Sequence, residues 1–202
     1  MTMTTNTKHK KRGSTLSLVI MLLLLVALTA AIILWPTEAE AQPTEKAVPS
    51  QQDDVAATTL IHEGDLAPDF TVKMLNGDKY TLSALRGKVV LVSFWATWCP
   101  PCRQELAHLQ EGVIDKFAGK ELVVLPISRG EERATVEAFM HKMKYKFNVG
   151  LDANQSIYRL YATNYIPRTF VVDREGKVCY VAVGYDATIA EEVNAAIAKA
   201  LK

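Results

Sequence analysis

The segment Lys88 to Phe117 constrains the fold more than any other part of the chain. It opens with KVVLVSFWA (Lys88 to Ala96), an apolar, β-branched run that reads as a buried central strand. It closes with Cys102, Leu106, Leu109, Val113 and Phe117, apolar at every third or fourth position, which predicts a helix with one buried face. Between them stands WCPPC, Trp98 to Cys102. A buried strand that runs straight into a helix calls for an α/β layered domain. It also leaves two cysteines at the junction.

Two cysteines at that spacing serve as a metal clip, an inert disulfide or a reactive dithiol. Structural zinc wants four ligands, commonly two such pairs, and the chain has only three cysteines, the third being the distant Cys179. His108 is the nearest histidine in sequence, about 240° around the helix from Cys102. No metal site is therefore expected. An inert bridge over two residues gains little from loop closure. The dithiol reading has a positive argument. A helix N-terminus presents unpaired N–H groups and a partial positive charge, which favour a thiolate at Cys99. Pro100 and Pro101 fit the first turn, where a missing N–H matters little, and stiffen the loop. Cys102, on the buried side, would resolve a mixed disulfide formed at Cys99.

The rest of the domain alternates strand and helix signals. FTVKMLNGDKYTLSAL predicts an N-terminal β-hairpin turning at Asn76-Gly77. ELVVLPIS reads as a second buried strand, and Val136, Phe139, Met140 and Met143 mark a helix. NQSIYRLYA is a short helix candidate, and RTFVVD and KVCYVAVG form an antiparallel pair about the EG turn. Ile189, Val193, Ile197 and Leu201 close the chain with a helix. Helices are expected on both faces of the sheet. Trp95 reads as core and Trp98 as an apolar rim beside the cysteines. Cys179 reads as a small buried hydrophobe.

The N-terminal sequence adds an address. Basic KHKKR (Lys8 to Arg12) precedes LSLVIMLLLLVALTAAIILW (Leu16 to Trp35), which holds no charge. Such a helix spans roughly 30 Å, the thickness of a bilayer core. The expected layout is a cytoplasmic basic segment (1–13), a single transmembrane anchor (14–35), a flexible linker (36–60) and a folded domain (61–202). The linker reading rests on a Pro-, Glu- and Gln-rich composition with few large apolar residues. The positive-inside rule puts the N-terminus in the cytosol and the domain outside. A signal-peptidase site after Ala41 is the alternative, but the apolar run exceeds the usual signal core of about 7–15 residues. The formal net charge of +1 gives no reason to expect nucleic acid as partner.

FWATWCPPC, with YIPRTFVVD downstream, resembles the thioredoxin superfamily. APDFTVKMLNGDKYTLSALRGKVVLVSFWATWCPPCRQEL narrows the resemblance to the TlpA/ResA type, with an N-terminal region like that of the AhpC/TSA redoxins. These are membrane-anchored thiol-disulfide oxidoreductases of the bacterial periplasm or outer cell surface. The resemblance covers about residues 61 to 200. It implies a thioredoxin-like fold, a central mixed β-sheet flanked by helices. It makes Cys99 the nucleophile, Cys102 the resolving thiol and Cys99–Cys102 a redox-active disulfide that needs no cofactor. It implies a cis bond before Pro167, with the backbone of Ile166 pairing with an extended substrate. Trp98, Pro100 and Pro101 would join Ile166 and Pro167 in substrate binding.

Glu105 matches an acid of the family three residues after the second cysteine. At that spacing it shares a helix flank with Cys102 and would move protons as the disulfide opens. Thioredoxin itself keeps a buried acid where this chain has Ser93, which makes Glu105 the substitute. Arg168 stands where many relatives have a small polar residue and is expected to tune docking beside Pro167. The implied partners are exported disulfide-bearing proteins, among them apocytochromes c awaiting haem, and a membrane protein that donates electrons. Two alternatives remain at this point. One is a thiol peroxidase, which shares the APDFTV region; peroxiredoxins, however, keep a threonine three residues before the reactive cysteine, and here Thr97 is two before. The other is a copper-carrying thioredoxin-fold module, which usually spaces its cysteines by three and adds a histidine.

Overall fold

The computed structural model describes residues 14–33 and 51–202, which divide into an N-terminal unit and a domain beginning at Pro49. The expected cytoplasmic segment and residues 34–50 lie outside the described residues. In the N-terminal unit, helix α1 runs Ser14–Ile33, 20 residues without a charge. Its side chains are described only from Leu18 to Thr29 and are exposed, and no helix of the described residues meets the length and apolarity needed to cross a membrane. The backbone helix alone has the length of a bilayer core, about 30 Å. The anchor thus stays an inference from sequence.

The domain is built on one seven-stranded sheet. Its strands are β1 (Thr71–Met74), β2 (Lys79–Thr81), β3 (Val89–Trp95), β4 (Leu122–Arg129), β5 (Gly150–Asp152), β6 (Arg168–Val172) and β7 (Val178–Val183), in the order β2-β1-β5-β4-β3-β6-β7. β3 is parallel to β4 and β4 to β5; the remaining pairs are antiparallel. The mixed sheet expected from the sequence is therefore present, with β3 flanked on both sides and buried along its whole length. The β1–β2 hairpin turns at Gly77, whose φ of 98° suits glycine. β5 went unread in the sequence because three residues carry no periodicity.

Strand alternation splits the core in two. Leu91 and Trp95 of β3 point to one face, where α3 (Pro100–Leu109), α4 (Arg133–Met143) and α6 (Ala187–Ala200) pack through Cys102, Leu106, Leu109, Val136, Val193 and Ile197. Val90, Val92 and Phe94 point to the other, against Phe70, Tyr158, Tyr161 and Phe170. That second face is covered by the short α5 (Tyr158–Tyr161) and by the chain leading into β1. Phe94 lies edge-on to Tyr158 and Phe170, at centroid distances of 5.3 and 6.2 Å. The helix expected over Cys102 to Phe117 forms, but its last part (Gln110–Asp115) widens into a π-helical turn.

The structure draws the start of the folded domain earlier than residue 61. α2 (Gln51–Ala57) is helical, and residues 58–60 dock on the domain. Thr59 bridges to Ala162, and the hydroxyls of Thr58 and Thr59 bind Arg168. Composition pointed to a linker because the stretch lacks large apolar residues; polar bonds hold it instead.

Candidate active site

The two cysteines sit where β3 hands over to α3. Cys99 is the N-cap of α3, with Pro100 and Pro101 in the first turn. The backbone N–H of Cys102 donates to Cys99 Sγ at 3.3 Å. A donor aimed at that sulfur, with the helix N-terminus behind it, stabilises a thiolate. Cys99 and Cys102 form a disulfide, and both are buried, Cys102 completely. The outer cysteine thus has the helix terminus and the inner one the core.

The loop before β6 supplies the other wall. The Ile166–Pro167 bond is cis, and Cys99 Sγ lies 3.6 Å from the Ile166 carbonyl oxygen. Tyr165 adopts a left-handed φ of 67°, and its carbonyl accepts a bond of 2.9 Å from the Tyr158 hydroxyl. Ile166 is half-buried and faces the cysteines across the gap. Trp98 is 64% exposed beside them, while Trp95 is fully buried. The expected site residues Trp98, Cys99, Pro100, Pro101, Ile166 and Pro167 therefore come together.

Glu105 lies on the buried side of α3. Ser93 Oγ donates to its Oε2 at 2.9 Å and Thr169 Oγ1 donates to its Oε1 at 2.8 Å. Ser93 and Thr169 are direct partners in the β3–β6 register, so one rung of the sheet serves both oxygens. Burial raises the Glu105 carboxyl to about 7, against the pull of those two hydroxyls toward the ionised form. The acid thus titrates near neutrality within the element that carries both cysteines. Ser93 carries no titratable group and instead hydrogen-bonds this acid.

Arg168 does not project onto the dithiol face of the sheet. It is fully buried and donates to Thr59 Oγ1 (2.6 Å), Thr58 Oγ1 (3.1 Å) and the Asn164 carbonyl (2.9 Å). Side chains alternate along β6, so Thr169 faces α3 and Arg168 faces the opposite side of the sheet. A docking partner does not touch it. Cys179 also departs from its reading. It is half-buried, at 3.4 Å from the Val171 carbonyl, and lines an open hollow with Tyr180 and Glu192.

One residue near the site was missed in the sequence. Glu131 is buried and accepts from the Thr97 N–H (2.9 Å), the Thr97 hydroxyl (2.5 Å) and the Ser128 hydroxyl (2.9 Å). It pins the turn before Trp98 to the end of β4. An acid two residues after a buried parallel strand, at the same sheet end as the cysteines, was the available signal. Among the described residues no group of three or more His, Cys, Asp or Glu could hold a metal.

Comparison with known proteins agrees with this geometry. The AhpC/TSA family matches residues 64–181. The thiol-disulfide oxidoreductase ResA of Bacillus subtilis is 34% identical over 129 residues, 64% of this chain and 72% of that protein. ResA of Geobacillus thermodenitrificans is 31% identical over 126 residues, 62% and 72% of the two chains. A crystal structure of a candidate thiol:disulfide interchange protein DsbE from Chlorobium tepidum superposes with a TM-score of 0.65 at 31% identity, covering 70% of this chain and 99% of that one. With a Cys-Pro-Pro-Cys disulfide at a helix N-terminus beside a cis-proline, the chain belongs to the AhpC/TSA family and is a thiol-disulfide oxidoreductase of the ResA-like group with a thioredoxin-like fold.

Proposed function

We propose that the chain is a membrane-anchored, extracytoplasmic reductase of protein disulfides. The carrying observation is the placement of Cys99 Sγ at the N-cap of α3, under the Cys102 N–H and 3.6 Å from the Ile166 carbonyl. In the reduced enzyme, the Cys99 thiolate attacks one sulfur of a substrate disulfide. That bond breaks, a mixed disulfide forms, and the departing substrate thiolate takes a proton. The Cys102 thiol gives up its proton and attacks Cys99 Sγ, which releases the second substrate thiolate and leaves Cys99–Cys102 oxidised. Two electrons pass to the substrate. Glu105, with its carboxyl near 7, receives the Cys102 proton in this scheme. An external dithiol protein in the membrane restores Cys99 and Cys102 by the same exchange in reverse, so the dithiol needs no bound cofactor.

The anchor rests on the uncharged helix Ser14–Ile33 and the basic residues before it. It would fix the enzyme to the bacterial inner membrane with its N-terminus cytoplasmic and the domain outside. Apocytochromes c, whose haem-binding cysteines must be reduced before attachment, are a substrate class that the ResA likeness supports. The peroxidase reading loses support because the Thr97 hydroxyl is committed to Glu131. Reduction of insulin disulfides tests the proposal: Cys99→Ser is expected to abolish it, and retained activity would overturn it.

A further inference from the structure

Arg168 follows the cis-proline directly, yet its guanidinium reaches the N-terminal segment on the far side of the sheet. Its Nη1 donates to Thr59 Oγ1, and its Nη2 donates both to Thr58 Oγ1 and to the carbonyl of Asn164, two residues before Ile166. The C-terminal end of α2 and the loop that carries Tyr165 and Ile166 are thereby tied to one buried side chain. These bonds engage both terminal nitrogens of a buried guanidinium, whose Nε is left without a partner, and the ties make α2 part of the architecture of the site.

Between these tied parts lies an open hollow of about 560 Å³. Val55 and Ala56 of α2 form one wall, Tyr165 and Ile166 another, and Pro101, Val183 and Gly184 complete it. It shares Ile166 with Cys99, whose sulfur touches the Ile166 carbonyl. It also shares Pro101 with the first turn of α3. A chain whose cysteine is joined to Cys99 and which runs along Ile166 therefore borders this hollow. The lining is mostly aliphatic, and Val55, Tyr165 and Ile166 are only half-buried.

We propose that α2 is the outer wall of the substrate groove, that Arg168 is the positioning residue that holds it there, and that the groove selects extended protein segments with an apolar residue beside the reacting cysteine. The inference rests on the reductase reading above and adds a specificity to it. Each redox step is the exchange already written, with the peptide cysteine as the substrate sulfur.

The test uses the reduced full-length chain and three disulfides. Two are synthetic peptides, each with a central cysteine joined to glutathione, one flanked by leucines and the other by glutamates. The third is glutathione disulfide, which is too small to span the hollow. The wild type is expected to reduce the leucine peptide fastest. Val55→Lys with Ala56→Lys is expected to lower the ratio of leucine-peptide rate to glutathione-disulfide rate about tenfold, a binding difference of one decade. Val55→Leu is expected to preserve the ratio. Thr58→Val with Thr59→Val removes two acceptors of Arg168 without altering the lining, and is expected to lower the leucine-to-glutamate preference. A ratio unchanged in the lysine variant overturns the proposal. A preference that varies with enzyme concentration would put a second copy of the chain in the hollow and also overturns it. Failure of the wild type to reduce any of the three disulfides would instead refute the reductase reading, before any variant is measured.

Discussion

Ser93 and Thr169 stand opposite one another on β3 and β6, and each donates to a different oxygen of Glu105. The pair turns a buried carboxyl into a group that can be held in either protonation state. Burial favours the neutral acid; two hydroxyl donors favour the anion. The balance settles near 7, a value that suits the proposed role of Glu105 as acceptor of the Cys102 proton.

Stability should follow from this balance. The carboxyl is raised from 4.5 to about 7 on folding, so the native chain binds more protons than the unfolded chain between those values. The stabilising contribution of the neutral acid is fully present below about 4.5 and is lost as pH rises through about 7. The total loss from the acid to the alkaline limit is roughly 3 kcal/mol. Tyr185 and His108 line the same crevice as Glu105, and the Tyr185 hydroxyl is raised by burial and by Glu105. Urea unfolding of the oxidised domain at pH 5 and pH 8 should show a larger fall for the wild type than for Glu105→Gln. An equal fall in both would contradict the assignment.

The same substitution should change catalysis. Glu105→Gln is expected to slow resolution of the mixed disulfide by about tenfold to a hundredfold and to flatten the rise in rate near pH 7. Stopped-flow measurement of the resolving step across pH 5 to 9 reads both effects. A profile identical to that of the wild type would remove Glu105 from proton handling.

Much of this site was legible from spacing. A β-branched run, a CPPC turn and a helical stripe located β3, α3 and the junction, because their periods differ and the prolines mark the boundary. The cis-proline loop and Glu105 became legible through resemblance. What stayed hidden were contacts made by residues distant in sequence. Arg168 was expected to tune docking beside Pro167, and its burial on the opposite side of the sheet was not legible because sequence adjacency carries no information on which face of β6 it takes. Glu131 lies 34 residues from Thr97, and the link exists only because parallel β3 and β4 end together. α2 has a linker's composition and is held by hydroxyl-to-guanidinium bonds, for which periodicity has no signal.

Arg168 gives a stability prediction of its own. Arg168→Met keeps the volume but leaves the hydroxyls of Thr58 and Thr59 without their shared donor. A loss of about 2 to 3 kcal/mol is expected from bonds to a charged group, read as a lower midpoint in urea. A loss below about half a kcal/mol would mean that Arg168 does not hold the segment.

Trp98 should separate recognition from folding. It is 64% exposed next to the dithiol, so Trp98→Ala is expected to lower kcat/KM for insulin by about fivefold to tenfold, as for an aromatic anchor at an interface. The melting temperature should not move. Equal kcat/KM in the two proteins would take Trp98 out of the docking surface.

Cys179 is half-buried, and burial and the nearby Asp173 carboxylate raise its thiol. In the oxidised protein it is expected to react with maleimide more slowly than a free thiol at pH 7 and to speed up on unfolding. Rapid labelling of the native protein would contradict that environment.

The reduction potential of the Cys99–Cys102 couple tests the central claim most directly. The full chain would be equilibrated in glutathione buffers of graded ratio and its dithiol fraction quantified. The account predicts a value near or below about −220 mV, in the range of thiol reductants. A value near about −120 mV would mark an oxidant that installs disulfides and would contradict the proposed direction of exchange.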